Sequence, residues 1–242
     1  MKDRADKLLV SLGLFESRAA ARAAIEAGRV TAAGVRVAKP SQTLSSDDDI
    51  TATPAHPYVS RGGLKLAHGL AVFGVDPAGR YCLDIGASTG GFTDVLLRAG
   101  ARHVVAVDVG RGQFHHSLAG DPRVTSLEAQ DARTLTARLV GEAPTLLVCD
   151  ASFIGLEKLL GPALRLAAPG ADLVTLFKPQ FQVGPKHVGR GGIVSDSDAV
   201  AQARLRVHDW LAGEGWKIIA ECDSPIKGGD GNREYLIYAH NS

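Results

Sequence analysis

The chain has 242 residues, of which 45% are hydrophobic and 22% are charged, and its formal net charge is +1. This length predicts one large domain, or one domain plus a small module, with enough chain to build a sizeable core. The composition excludes collagen-like, coiled-coil and disordered proteins, and the near-zero charge gives no support to a nucleic-acid partner.

Neither a membrane segment nor a metal site is indicated by the sequence. It contains no window of 18 apolar residues, and the start MKDRADKLL has neither the apolar region nor the cleavage site of a signal peptide. Cys82, Cys149 and Cys222 are isolated from one another and from histidines at ligand spacing. We therefore expect a cytoplasmic protein with reduced cysteines, no bound metal and no membrane partner.

The first 46 residues form a basic segment, with eight Lys or Arg against four acidic side chains, or +4, which leaves −3 for the rest of the chain. Apolar residues at helical spacing run from Leu8 to Ile25, interrupted at Ser17, a typical N-cap, and they stop at Gly28. Alternating apolar residues follow in 30–37. This pattern predicts two short helices and then a small β element.

The string LLVSLGLFESRAAARAAIEAGRVTAAGVRVAKPSQTL resembles the S4-like (alpha-L) RNA-binding module. In that family the second helix and the following loop present basic side chains to RNA. The resemblance implies RNA contacts by Arg18, Arg22 and Arg29, with Lys39 as a weaker candidate. A solvated helix face is the alternative. A few such side chains would give salt-sensitive binding without sequence preference.

A linker is predicted around Pro54 and Pro57, since these residues disfavour helix and the composition changes at Tyr58. We place the domain boundary there, which gives an RNA-binding domain over 1–57 and a second domain over 58–242.

The second domain alternates strand-like runs with helical segments. The runs are YCLDI, HVVAV, VTSLEA, TLLVCD, DLVTLFKP and GWKIIAE. This alternation predicts an α/β fold with a mostly parallel sheet and helices on both faces, and ligands then bind at the carboxyl ends of the strands.

The first of these strands runs into the glycine-rich turn DIGASTGGFTD. Glycines permit a tight turn and a close approach to a ligand, and the following helix offers free N–H groups. Ala87 and Ser88 break the strict G-x-G-x-x-G spacing, which disfavours a nicotinamide-dependent dehydrogenase. The candidate cofactor-binding residues of the turn are Asp84, Gly86, Ser88, Gly90, Gly91 and Phe92.

Two further acidic residues follow the next strands. Asp108 ends the second strand, where a carboxylate can accept hydrogen bonds from both ribose hydroxyls. Asp131 follows the third strand and can bond an adenine amine or cap a helix. With the glycine turn, these features resemble the class I S-adenosylmethionine-dependent methyltransferases. The resemblance implies S-adenosylmethionine as cofactor and a Rossmann-like, seven-stranded sheet whose last strand, EYLIYA, is antiparallel.

Two lysines and two carboxylates complete the candidate site: Lys65 in GGLKLAHGL, Asp150 in LLVCDASF, Lys178 in LVTLFKPQF and Glu234 in GNREYLIYA. Asp150 and Lys178 end strands, and Glu234 opens the last one, so a doubly wound sheet would bring them to one edge. Burying an ammonium is costly unless carboxylates surround it. A strand-end lysine that reaches solvent is the alternative for Lys178.

This pattern, with the GRGGIV loop, closely resembles the FtsJ-like ribose methyltransferases, whose Lys-Asp-Lys-Glu tetrad methylates RNA 2'-hydroxyls. With the N-terminal module, the whole chain resembles the TlyA (haemolysin A) family. That resemblance implies methyl transfer to a cytidine ribose of ribosomal RNA, with ribosomal RNA or ribosomal subunits as partners. It implies Lys178 as general base within the tetrad, because a 2'-hydroxyl must lose its proton as it attacks.

The segment after Lys178 is rich in glycine and contains Phe181 and Arg190. We expect a mobile lid that stacks a base or holds a phosphate, with a disordered loop as the alternative. Three other functions stay open: a membrane-active haemolysin, a non-catalytic RNA-binding assembly factor and a small-molecule methyltransferase.

Overall fold

In the computed structural model, which describes residues 2–241, the chain divides after Pro57. The first unit is Met1–Pro57 and the second is Tyr58–Ser242. Each has its own apolar core.

The first unit has two helices and two small antiparallel sheets. Its elements are β1 (Lys2–Arg4), α1 (Ala5–Ser11), α2 (Arg18–Glu26), β2 (Val30–Ala32), β3 (Val35–Arg36), β4 (Thr43–Ser45) and β5 (Ile50–Ala52). Strand β1 pairs with β4, and β2 lies between β3 and β5. The predicted N-cap is confirmed, since the Ser17 side chain accepts a hydrogen bond from Ala20 N at 3.2 Å. The predicted order of two helices followed by β structure is also confirmed, whereas the strand β1, which precedes the helices, was not predicted.

The second unit consists of a sheet with helices on both faces. Its strands are β6 (Tyr81–Ile85), β7 (His103–Val107), β8 (Val124–Leu127), β9 (Leu146–Cys149), β10 (Asp172–Phe177), β11 (Trp216–Asp223) and β12 (Tyr235–Asn241). Its helices are α3 (Gly62–Phe73), α4 (Gly91–Arg98), α5 (His116–Ala119), α6 (Ala137–Val140), α7 (Leu156–Leu159), α8 (Gly161–Leu166), α9 (Pro179–Gln182) and α10 (Ser197–Gly213). Short 3-10 turns occupy Ala132–Thr134, Pro185–His187 and Arg190–Gly192.

The strand order of the large sheet is β11-β12-β10-β9-β6-β7-β8. Strands β6 to β10 are mutually parallel, and β12 runs antiparallel to both of its neighbours. The predicted α/β fold and antiparallel last strand are therefore confirmed. The order reverses at β6, which lies between β7 and β9, and open α/β sheets bind ligands in the crevice beyond such a point.

The cysteines are free thiols. Burial raises the pKa of the Cys82 and Cys149 thiols to about 12, so both stay protonated at neutral pH. Cys222 is half-buried on β11. Within residues 2–241, no helix has the length and apolar character needed to cross a membrane.

Candidate active site

A cavity of about 450 Å³ lies at the carboxyl ends of β6, β7 and β9, where the strand order reverses. This volume is within the range of small-molecule and cofactor sites. Among the predicted site residues, it is lined by Gly86, Ser88, Asp108, Asp131 and Asp150.

The turn after β6 has a backbone shape that requires glycine. Gly86 has a φ of +79°, and a Cβ at this residue would lie 2.8 Å from the backbone N of Ala151. Ser88 also has a positive φ, 47°. Since L-residues rarely adopt this conformation, the turn is held in place by its surroundings. At Gly86, which has no side chain, the turn therefore contributes backbone atoms to the cavity wall.

Asp108 joins the two loops that form this wall. Its Oδ2 accepts a hydrogen bond from Ser88 N at 2.8 Å, and its Oδ1 accepts one from Gly110 N at 2.7 Å. Each carboxylate oxygen has a second lone pair. Asp108 can therefore hold the loops and still accept hydrogen bonds from a ligand.

Asp84 lies on β6, immediately before the turn, and is fully buried. The Thr93 hydroxyl donates to its Oδ2 at 2.6 Å, whereas its Oδ1 has no hydrogen-bond partner among residues 2–241. Burial raises the pKa of this carboxyl to about 7, and the Thr93 hydrogen bond partly opposes the rise. Asp84 is thus poised to change its protonation near neutral pH.

The remaining predicted cofactor residues differ in their placement. Asp131 lines the cavity and also caps the 3-10 turn, because its carboxylate accepts hydrogen bonds from the Arg133 backbone N and side chain. Asp131 therefore caps the 3-10 turn, as the alternative interpretation predicted, and also lines the cavity. Gly90 and Gly91 are buried and do not line the cavity, and Phe92 packs into an apolar core cluster.

The buried Lys178 follows β10 and forms an ion pair with Asp150, which follows β9. The distance from Lys178 Nζ to Asp150 Oδ1 is 2.6 Å. The same Nζ donates to the Asp150 carbonyl at 3.1 Å and to Ser152 Oγ at 2.9 Å. Lys178 is only 7% exposed and its Nζ lies against these oxygen atoms, so the solvent-reaching alternative does not hold.

Lys65, on α3, forms a second buried ion pair with Glu234, at 2.6 Å. Glu234 is 2% exposed. It is covered by Gly228, where any side chain would collide with the Glu234 carboxylate. The pair is held from both sides, with the positive and negative charges balanced.

Sheet register and helix α3 bring the two ion pairs to the same edge. Phe177 is paired with Tyr235 across β10 and β12, so the flanking residues Lys178 and Glu234 lie at the same level. Gly62, one turn before Lys65, would place a Cβ 3.3 Å from Asp150 Oδ2. All four tetrad residues thus converge beside the cavity.

One aromatic residue at the cavity was missed in the sequence. Phe153 lines the cavity, is 90% exposed and has a φ of 66°. Its ring lies 5.2 Å from the ring of Phe181, centroid to centroid. A large residue in this backbone conformation is strained, and such strain is found at binding sites. The sequence carries no signal of it, because residue type alone does not reveal a positive φ at an aromatic residue.

The glycine-rich segment after α9 has defined turns and a fixed anchor. The buried Asn232 donates to Gly192 O at 2.8 Å and accepts from Val194 N at 2.9 Å. Arg190 is exposed in the last of the turns. The mobility of this segment stays a prediction.

In the first unit, the predicted RNA-binding residues are exposed but not equivalent. Arg18 donates to the buried Asp6 at 2.8 Å, and Arg4 pairs with the same carboxylate. These two arginines hold the pKa of Asp6 well below its usual range. Arg22 and Arg29 have no ion pair among residues 2–241. Lys39 is exposed as well.

Both units of the chain match known protein families. Residues 58–241 match the FtsJ-like methyltransferases, and residues 3–50 match the S4 domain. The chain is 44% identical to the 16S/23S rRNA (cytidine-2'-O)-methyltransferase TlyA of Mycobacterium tuberculosis, over 97% of this chain and 88% of that one. It is 38% identical to Hemolysin A of Brachyspira hyodysenteriae, over 97% and 98%.

The chain belongs to the FtsJ-like methyltransferase family. A candidate hemolysin from Streptococcus thermophilus has a similar structure, with a TM-score of 0.78 and 37% identity over 100% of this chain and 89% of that one. A candidate S-adenosylmethionine-dependent methyltransferase from Listeria monocytogenes shares the fold alone, with a TM-score of 0.55 and 12% identity over 76% of this chain and 100% of that one. As an FtsJ-like methyltransferase with an S4 domain, the protein is an enzyme of methyl transfer.

Proposed function

We propose that this enzyme transfers a methyl group from S-adenosylmethionine to the 2'-hydroxyl of a cytidine in ribosomal RNA. The observation that carries the proposal is the convergence of the Lys178–Asp150 and Lys65–Glu234 ion pairs beside the cavity. The name of the M. tuberculosis relative supports the ribosomal RNA target. A ribosomal substrate would in turn place the enzyme in the cytoplasm.

The cavity residues fit S-adenosylmethionine. Asp108 would use its remaining lone pairs for the two ribose hydroxyls, and Asp131, which lines the cavity, would accept from the adenine amine. Gly86 lets the turn pack closely against the Ala151 backbone at the wall, and the buried Asp84, which does not line the cavity, lies on the strand that leads into this turn. When bound, the cofactor supplies a methyl group activated by a positively charged sulfur.

Lys178 is the proposed general base, because its amine is buried and lies beside the cavity-lining Asp150. In each turnover the neutral form of this amine would accept the proton of the ribose 2'-hydroxyl on Nζ as the oxygen attacks. Asp150 holds the amine in place and stabilises the ammonium that results. Lys65 would keep its ammonium group, held by Glu234, at the same edge, where its N–H dipoles stabilise the oxygen as it loses its proton.

The RNA would be held by aromatic and basic side chains. The exposed ring of Phe153 and the half-buried ring of Phe181 would offer a surface on which a base can stack, and Arg190 could neutralise a phosphate. In the S4 domain, Arg18, Arg22 and Arg29 are the proposed RNA contacts.

The test is methyl transfer to ribosomal subunits by the wild type and by Lys178→Ala. With labelled cofactor, we expect the wild type to label a ribose that becomes resistant to alkali. Lys178→Ala should lose about 10² to 10⁴ in rate. It should bind S-adenosylmethionine normally in calorimetry, because Lys178 does not line the cavity.

Two results would contradict the proposal separately. If Lys178→Ala kept nearly wild-type turnover, Lys178 would not be the base. If the wild type labelled neither the small nor the large subunit, the ribosomal target would be wrong. A protein that bound RNA but not S-adenosylmethionine would instead be a non-catalytic assembly factor.

A further inference from the structure

The bonding of Lys178 raises the question of how its amine gains and loses protons. A lysine ammonium has three N–H donors. Here three acceptors surround Lys178 Nζ, namely Asp150 Oδ1, the Asp150 carbonyl and Ser152 Oγ. In this arrangement Nζ donates hydrogen bonds to the Asp150 carbonyl and to Ser152 Oγ and forms an ion pair with Asp150 Oδ1, and Lys178 is only 7% exposed.

The three partners are chemically different. The Asp150 carbonyl and carboxylate can only accept a hydrogen bond, whereas the Ser152 hydroxyl can both accept and donate. When Lys178 is neutral it has two N–H groups and one lone pair. Ser152 is then the one of these three partners whose O–H can turn toward that lone pair.

Ser152 also connects the amine to solvent. It is exposed and lines the cavity, in contrast to the buried Lys178. Its loop is fixed beyond it, since the strained Phe153 follows and Leu156 N donates to Gln182 Oε1 at 3.2 Å. Ser152, whose Oγ lies 2.9 Å from Lys178 Nζ, is therefore part of a loop that other contacts hold in place and is not a freely moving surface serine.

We propose that Ser152 is a positioning residue that keeps the Lys178 amine aligned in both protonation states and passes its proton to water. The inference rests on the proposed role of Lys178 as base. After transfer, the 2'-hydroxyl proton is on Nζ. An Nζ–H bond then breaks as that proton moves to Ser152 Oγ, and the Ser152 hydroxyl releases its own proton to a water molecule. Lys178 is neutral again and Ser152 is unchanged.

The experiment compares Ser152→Ala, Ser152→Thr and the control Ser126→Ala, which removes an exposed hydroxyl on β8. Loss of one hydrogen bond of about 1 to 2 kcal/mol predicts that Ser152→Ala lowers kcat by about fivefold to thirtyfold. Its KM for RNA and its affinity for S-adenosylmethionine should not change. Ser152→Thr keeps the hydroxyl and should recover most of the rate.

Added imidazole buffer gives a second readout that loss of packing would not produce. Imidazole can carry the proton from Lys178 to water, so the rate of Ser152→Ala should rise with its concentration. The wild type, Ser126→Ala and Lys178→Ala should not respond.

The failures of the two proposals are distinguishable. Wild-type kcat in Ser152→Ala, together with inactive Lys178→Ala, would overturn the role of Ser152 alone. A Ser152→Thr enzyme as slow as Ser152→Ala, or a Ser152→Ala rate unaffected by imidazole, would also overturn it. Nearly full activity in Lys178→Ala would remove the base itself, and the inference with it.

Discussion

The Asp84 carboxyl is a buried acid whose ionisation opposes folding. It is fully buried, and its pKa is raised to about 7, whereas an unfolded aspartate has a pKa of about 3.9. Between these values the folded state keeps a proton that the unfolded state has lost. The free energy of unfolding contributed by Asp84 therefore falls as pH rises through this window, by up to about 1.4 kcal/mol per pH unit.

Asp84→Asn should remove this pH dependence, because the amide is neutral and can still accept from Thr93. We expect the variant to gain stability relative to the wild type as pH rises from 5 to 7, and the difference to level off above pH 7. Urea unfolding at several pH values measures this difference. Asp209→Asn, at an exposed position on α10, should show no such trend. If the free energy of unfolding changed with pH in the same way for the wild type and for Asp84→Asn, Asp84 would ionise normally.

At the scale of elements, the turn between β6 and α4 depends on Gly86. Alanine there would combine the strain of a positive φ, about 1 to 2 kcal/mol, with a collision against the Ala151 backbone. We expect Gly86→Ala to push the turn away from the β9 loop and to weaken S-adenosylmethionine binding strongly in calorimetry.

Gly79→Ala is the matched control for this prediction. Gly79 has a φ of +71°, and nothing lies within 4 Å of its would-be Cβ. It should lose a similar amount of thermal stability to backbone strain and bind cofactor normally. Equal cofactor affinity in the two variants would show that the close approach at Gly86 does not matter for the site.

Local pattern explains why much of the second unit was predictable. Apolar runs bounded by turn residues identify β6, β7, β9 and β10, and parallel strands must present Asp150 and Lys178 at one edge. The ion-pair partner of each lysine could not be predicted from the sequence. Whether Lys178 contacts Asp150 or Glu234 depends on side-chain positions within an angstrom, and these come from tertiary packing.

Two other features were beyond sequence patterns for the same reason. The positive φ of Phe153 belongs to the folded loop, and the sequence shows only an aromatic residue near a strand end. The buried Asp6 appears in the sequence as one more surface charge, yet it binds Arg4 and Arg18. Contacts between distant residues of this kind have no local signature.

At the scale of the molecule, the division of charge differs from the one suggested by the first 46 residues. The first unit extends to Pro57 and includes Asp47, Asp48 and Asp49, which lie in the turn between β4 and β5. Its eight basic side chains face seven acidic ones, so its net charge is +1, and the rest of the chain is neutral. RNA binding must therefore come from a local surface and not from the overall charge.

Arg22 and Arg29 are the arginines of that surface most available to phosphates, since Arg18 is already bound to Asp6. Replacing both with alanine should weaken RNA binding. The binding constant K falls as the salt concentration rises. Each lost phosphate contact should make the negative slope of log K against log salt less steep by about 0.7 to 0.9. Titrations of ribosomal RNA at several salt concentrations measure both quantities.

The control is Arg165→Ala, which removes a mostly exposed arginine paired with Glu214 on the second unit. It should leave the affinity and the salt slope unchanged. A double variant of Arg22 and Arg29 with the wild-type slope would favour the solvated-face alternative, in which these arginines only keep α2 soluble. A weaker affinity with an unchanged slope would also contradict direct phosphate contact, because only loss of neutralised phosphates changes the number of released counterions.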